Sequence, residues 1–76
     1  MNKNKNYSNQ ERRSYYQGIS AAREDYNWCN GDKKKIKQCI VDRKKMKQLC
    51  VKRKDLNGVS FQNGYLNFFN SKSIIY

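Results

Sequence analysis

One segment in the middle of the chain, residues 33–54, carries almost all of the net charge. It contains eleven Lys and Arg and a single acid, Asp42, so it contributes +10 of the chain's +11. Charged side chains are almost never fully buried unless they are paired. The segment can therefore offer only a narrow apolar face to a core, and the residues on either side of it have to form the fold that presents it.

The chain is so short that it can bury only a small hydrophobic core. Its 76 residues form one small domain at most, because a chain of this length buries only about 60% of its unfolded surface. Six Tyr, three Phe and one Trp supply the large rings that have to carry most of the burial. We therefore expect an all-α mini-domain of two or three helices over residues 8–76, preceded by a flexible basic tail at residues 1–7.

The first helix is predicted over residues 9–26. Ser8 and Glu11 have the spacing of a capping box, in which each side chain satisfies a backbone donor of the other. Aromatic and aliphatic side chains then recur on one helical face: Tyr15, Ile19, Ala22 and Tyr26. This spacing is typical of a helix that packs on one side, and Asn30-Gly31 is a turn that ends it.

The basic segment is predicted to form a second helix over residues 33–55, with Asp32 as its N-cap. Its small and apolar side chains fall within about 140° of a helical wheel: Ile36, Cys39, Ile40, Met46, Cys50 and Val51. Arg43, Lys47 and Lys54 interrupt this stripe, so it cannot be deeply buried along its whole length. Asn57-Gly58 is the expected C-terminal cap.

The last segment, residues 60–70, fits two structures. As a helix with Ser60 as N-cap, it places its aromatic side chains on one face. As a β-hairpin, it turns at Asn63-Gly64, a favoured two-residue turn. We favour the helix, because a two-stranded hairpin is marginal without a sheet to join and little else in the chain resembles a strand.

The charge pattern predicts a polyanionic partner, most directly RNA. A basic helix can follow a phosphate backbone, and neutralising phosphates releases counterions. The residues predicted to contact phosphates are Lys33, Lys34, Lys35, Lys37, Arg43, Lys44, Lys45, Lys47, Lys52, Arg53 and Lys54, assisted by Arg12, Arg13 and Arg23. Tyr16 and Trp28 are candidates for stacking on unpaired bases. No motif sets base readout, so DNA remains an alternative.

The sequence argues against an enzyme, a metal site and a membrane span. It has no His, no Cys-x-x-Cys pair and no Gly-rich phosphate loop, so we expect no catalytic residue, no metal ligand and no cofactor. Three widely spaced cysteines do not form a disulfide framework. No apolar run is long enough for a signal peptide or a membrane span. We expect a cytoplasmic protein.

Two short stretches share the pattern aromatic-x-x-Gly-bulky. Tyr15, Gly18 and Ile19 form the first, after Arg12 and Arg13, and Phe61, Gly64 and Tyr65 form the second. In this the chain resembles the ribosome modulation factor family, whose two helices approach closely at such glycines. The family's Cys-Pro-Tyr-type linker is missing, and residues 33–54 stand as an insertion.

The resemblance implies a helical C-terminal segment and binding to ribosomal RNA on the small subunit, with inhibition of translation by occupation of a site. A second hypothesis is a small inhibitor, of the kind encoded by phages, that docks on an acidic protein surface of a host nucleic-acid machine. Charge alone does not separate the two, and the sequence leaves the oligomeric state open.

Overall fold

A computed structural model describes residues 9–72 of the protein as three α-helices joined by two short turns. Helix α1 spans Asn9–Cys29, α2 spans Lys33–Lys52 and α3 spans Leu56–Ser71. The all-α prediction is confirmed, and the β-hairpin alternative is wrong, because the whole of the predicted hairpin lies within α3. The predicted tail at residues 1–7 and Ser8 of the predicted capping box lie outside the described residues.

The turn between α1 and α2 follows the sequence prediction. Asn30 and Gly31 both have positive φ, 49° and 82°, which are left-handed values that Gly and Asn adopt at the least steric cost. Asp32 is the N-cap of α2, and its carboxylate accepts hydrogen bonds from the backbone N–H groups of Lys34 and Lys35 at 3.0 and 3.3 Å. These bonds satisfy donors that the first helical turn cannot.

The boundary between α2 and α3 differs from the prediction. Helix α2 ends at Lys52 rather than at residue 55, and Lys54 takes a left-handed φ of 58°. Asp55 then caps α3 by accepting the backbone N–H of Gly58 at 3.0 Å. The C-cap predicted at Asn57-Gly58 and the N-cap predicted at Ser60 are both wrong, because α3 is capped by Asp55, five residues before Ser60.

Helices α1 and α3 pack against each other at two glycines. A Cβ atom on Gly18 would overlap the carbonyl group of Phe61, and a Cβ on Gly64 would overlap that of Tyr15. Each glycine therefore contacts the backbone of the facing helix, which no side chain would permit. The close approach that the two aromatic-x-x-Gly motifs imply is present in the structure.

Aromatic rings fill the core beside this crossing. Tyr65 and Phe69 are fully buried, and their ring centroids lie 5.2 Å apart. Tyr26 packs edge-on against Phe69 at 6.1 Å. The Tyr65 hydroxyl donates a hydrogen bond of 2.5 Å to the Asp25 carboxylate. This bond joins a buried ring of α3 to a half-buried acid of α1.

Helix α2 rests on this pair of helices through a narrow apolar face. Ile36, Ile40 and Cys50 are buried, whereas Met46 and Val51 are 43% and 55% exposed. The apolar stripe is narrower than predicted, because Arg43 occupies part of the same inward face. Its guanidinium lies 4.4 Å from the centroid of the Tyr65 ring.

Candidate nucleic-acid interface

The outer surface of α2 is a stripe of lysines. Nine of the eleven basic residues predicted to contact phosphates are exposed: Lys33, Lys34, Lys35, Lys37, Lys44, Lys45, Lys52, Arg53 and Lys54. At 100° per residue, four of them (Lys34, Lys37, Lys45 and Lys52) fall within about 80° of one another. The stripe runs for about 27 Å at 1.5 Å per residue, a length suited to several consecutive phosphates.

The other two predicted phosphate contacts, Arg43 and Lys47, are half-buried. Arg43 stacks over Tyr65 and lies 5.6 Å from the centroid of Phe61, and it donates a long hydrogen bond of 3.5 Å to Gln62. A guanidinium over an aromatic face gains stability from packing as well as from charge. The structure therefore places Arg43 in the fold and away from the exposed lysine stripe.

The positive charge of α2 has little opposing charge on its neighbours. Helix α3 contains no charged residue, and α1 contains three Arg and three acids. The one acid of α2, Asp42, accepts a hydrogen bond of 2.8 Å from Gln38 on the same helix. The described part of the molecule is thus polarised, with a cationic helix on a nearly neutral support.

Two predicted contact residues meet at the corner between α1 and α2. Trp28 is 66% exposed, and the Lys35 ammonium lies 4.5 Å from the centroid of its ring. A large exposed ring beside a cation offers a stacking surface and a phosphate contact together. The turn at Asn30-Gly31 produces this pairing, since it folds the start of α2 back beside the end of α1.

A second group lies on the outer face of α1. Arg12, Arg13 and Tyr16 line one shallow depression there, and Tyr16 is 62% exposed with its ring edge-on to Tyr15 at 5.8 Å. Arg23 is also exposed, farther along the same helix. These residues form a smaller, separate basic and aromatic surface.

The structure contains a groove between α2 and α3 that is not predicted from the sequence. One of its depressions is lined by Lys44 and Lys47 of α2, by Tyr15 of α1, and by a row of side chains from α3: Asn63, Leu66, Asn67 and Asn70. The adjoining depression shares Lys44, Lys47 and Leu66 and extends to Lys52, so the two form one channel. The signal in the sequence is three Asn at i, i+4 and i+7, which is informative only once the segment is known to be a helix.

Two of the three cysteines lie close together. The sulfurs of Cys29 and Cys39 lie 4.0 Å apart at the junction of α1 and α2. Burial, with the neighbouring Cys39 thiol adding to it, raises the pKa of Cys29 to about 11, which makes this thiol a poor nucleophile at neutral pH. Within residues 9–72, no three His, Cys, Asp or Glu side chains are grouped to hold a metal ion.

Comparison with protein-family models, with curated proteins and with solved structures gives no match to this chain. The resemblance to the ribosome modulation factor family therefore rests on the two glycine motifs alone. None of the described helices combines the length and the apolar character needed to cross a membrane.

Proposed function

We propose that this protein binds RNA through α2 and its neighbouring surfaces, and that it acts by occupying its site on the RNA. The observation that carries the proposal is the concentration of +10 charge in residues 33–54, where nine of the eleven basic side chains are exposed, while α1 and α3 are nearly neutral. Such a surface binds phosphates and releases their counterions. Trp28 and Tyr16 add rings that can stack on unpaired bases.

The ribosome is the site at which we propose the protein acts. The support is the pair of aromatic-x-x-Gly motifs, whose glycines meet the facing helix backbone as in the fold that the resemblance implies. In this proposal the protein is cytoplasmic, contacts ribosomal RNA and lowers translation. The test is co-sedimentation of the purified protein with ribosomal subunits between about 50 and 200 mM salt. Binding to the subunits that falls with salt supports it, and absence of the protein from the ribosomal fractions at low salt contradicts it.

The contribution of α2 itself can be measured from the salt dependence of RNA affinity. Replacing three exposed lysines in K34Q/K45Q/K52Q removes three phosphate contacts, and the slope of log affinity against log salt should become less steep by about 2 on single-stranded RNA. The matched control, K34R/K45R/K52R, keeps the charges and should retain the slope. A wild-type affinity that does not change with salt would contradict RNA binding through this helix.

A second candidate is supported by apolar side chains exposed among the lysines of α2. Met46 and Leu49 are 43% and 42% exposed, and Met is enriched at protein interfaces, where an apolar centre is surrounded by a polar rim. In this reading the protein docks on an acidic protein surface of a nucleic-acid machine. A pull-down with and without nuclease separates the candidates: a partner that survives RNase and DNase favours protein docking, and a partner lost with RNase favours RNA.

A further inference from the structure

The groove between α2 and α3 has walls of different chemistry. Its α2 wall carries Lys44, Lys47 and Lys52. Its α3 wall carries the side-chain amides of Asn63, Asn67 and Asn70, which fall within about 60° of one another on the helical wheel. One wall is therefore cationic, and the facing wall is neutral but rich in hydrogen-bonding groups.

The amides of this wall are available to a ligand. Asn67 donates a hydrogen bond of 2.6 Å to the Tyr15 hydroxyl, which fixes its orientation and leaves its carbonyl oxygen and one N–H group for other partners. Within residues 9–72, the side chains of Asn63 and Asn70 form no hydrogen bond. Each of these amides offers one acceptor and two donors, the combination that reads the edges of bases.

The two walls match the two sides of one polynucleotide strand. A single strand carries phosphates along one side and unpaired bases along the other, and proteins read such bases on their exposed edges. From Asn63 to Asn70 the helix rises about 10 Å, close to the length of three stacked bases at about 3.4 Å each. A duplex fits poorly, since its base edges are paired with each other and the deep groove of A-form RNA is closed to side chains.

We infer that this groove holds a single-stranded RNA segment, with Lys44, Lys47 and Lys52 on its phosphates and Asn63, Asn67 and Asn70 on its bases. The inference rests on the proposed RNA binding and assigns the class of RNA that is bound. The remaining lysines of the outer stripe of α2, Lys34, Lys37 and Lys45, then contribute affinity for any RNA, and the α3 amides supply the preference for unpaired bases.

The test compares two ligands, a short unstructured oligoribonucleotide and a blunt-ended RNA duplex of the same length. The wild-type protein should bind the single strand more tightly. In N63A/N70A the affinity for the single strand should fall about tenfold or more, since two hydrogen bonds to the bases are lost. The duplex affinity and the salt slope should stay the same, because no charge is removed.

Asn57→Ala is the control for loss of an α3 amide, because Asn57 lies outside the groove and its only side-chain hydrogen bond within residues 9–72 is an exposed one of 3.3 Å to Gln10. It should leave both affinities unaltered. Alanine favours helix, so these variants are expected to fold, and circular dichroism checks that they do. As a second measurement on the unmodified sequence, the side-chain amide NMR signals of Asn63 and Asn70 should shift when the single strand is added.

The outcomes separate this inference from the function on which it rests. If the wild-type protein binds neither ligand, both the proposed function and the groove assignment fail. If it binds RNA with a steep salt dependence but N63A/N70A binds the single strand as tightly as wild type, only the groove assignment fails. A wild-type preference for the duplex also overturns it.

Discussion

The α1–α3 pair and helix α2 have different roles in this small protein: the pair forms most of the core, and α2 carries the charge. The pair is held by two glycines at backbone contact and by buried rings, and its net charge is close to zero. Helix α2 buries only Ile36, Ile40 and Cys50 and carries nearly all of the charge. Surface that holds a fold together has to exclude water, and surface that binds phosphates has to face it. The molecule assigns the two tasks to different helices.

The largest expected effect tests the glycine crossing. Gly18→Ala and Gly64→Ala each place a methyl group against the backbone of the facing helix, so the helices have to separate. Each change should lower the free energy of unfolding by about 3 kcal/mol or more, a large part of the total for a small domain. Chemical denaturation measures it.

The sign of this effect is decisive, because helix propensity alone would make Gly→Ala stabilising by about 1 kcal/mol. Unchanged or raised stability would contradict the close crossing. Gly31→Ala is the control: Gly31 has open space around it but a φ of 82°, so the loss should be only about 1–2 kcal/mol.

The next effect concerns the hydrogen bond that ties α3 to α1. Tyr65→Phe removes the donor to the half-buried Asp25 carboxylate, and should cost about 1.5–3 kcal/mol of stability. Tyr16→Phe, at an exposed ring, is the matched control and should cost little. Equal stabilities of the Y65F protein and the wild type would show that the bond does not support the pair.

The same bond predicts a pH dependence. Burial, and then the hydrogen bond to Asp25, raises the pKa of Tyr65 above its usual value. A group whose pKa is higher in the folded state stabilises the fold fully below its unfolded pKa, here about 10, and loses that contribution as pH rises beyond it. The stability difference between wild type and Y65F should therefore be constant at neutral pH and decrease above about pH 10. A difference that grew with pH would contradict this.

The smallest expected effect concerns Arg43, which lies on the charged helix α2 but packs against the buried Tyr65 ring. Arg43→Gln should cost about 1 kcal/mol, since it removes the cation from the Tyr65 ring, whereas Lys45→Gln should change stability by less than about 0.5 kcal/mol. The salt dependence of RNA binding should respond in the opposite order, with Lys45 the more important. If the two changes had equal effects on stability and on the salt dependence of RNA binding, Arg43 would act like the exposed lysines and not as part of the core.

Much of the secondary structure of this protein could be predicted from local sequence patterns. Neighbouring residues alone predict the all-helical class, the turn at Asn30-Gly31 and the Asp32 cap. They also predict the position of the lysine stripe, because a dense run of like charge has to face solvent. Tyr16 and Trp28, the two candidates for stacking on bases, are exposed. The α2–α3 boundary was missed, because Asp55 and Ser60 are both good N-cap residues and local sequence does not choose between them; in the structure Asp55 is the cap.

Only the tertiary structure decided which side chains meet across helices. Nothing in the sequence indicated that Arg43 lies over Tyr65, that Cys29 lies beside Cys39 or that three α3 amides face the lysines of α2. Those contacts depend on how the three helices pack, with α1 and α3 crossing at two glycines and α2 resting on both. The charge of each residue is known from the sequence, so the basic surface could be predicted. The groove exists only because the helices pack together, so it could not be.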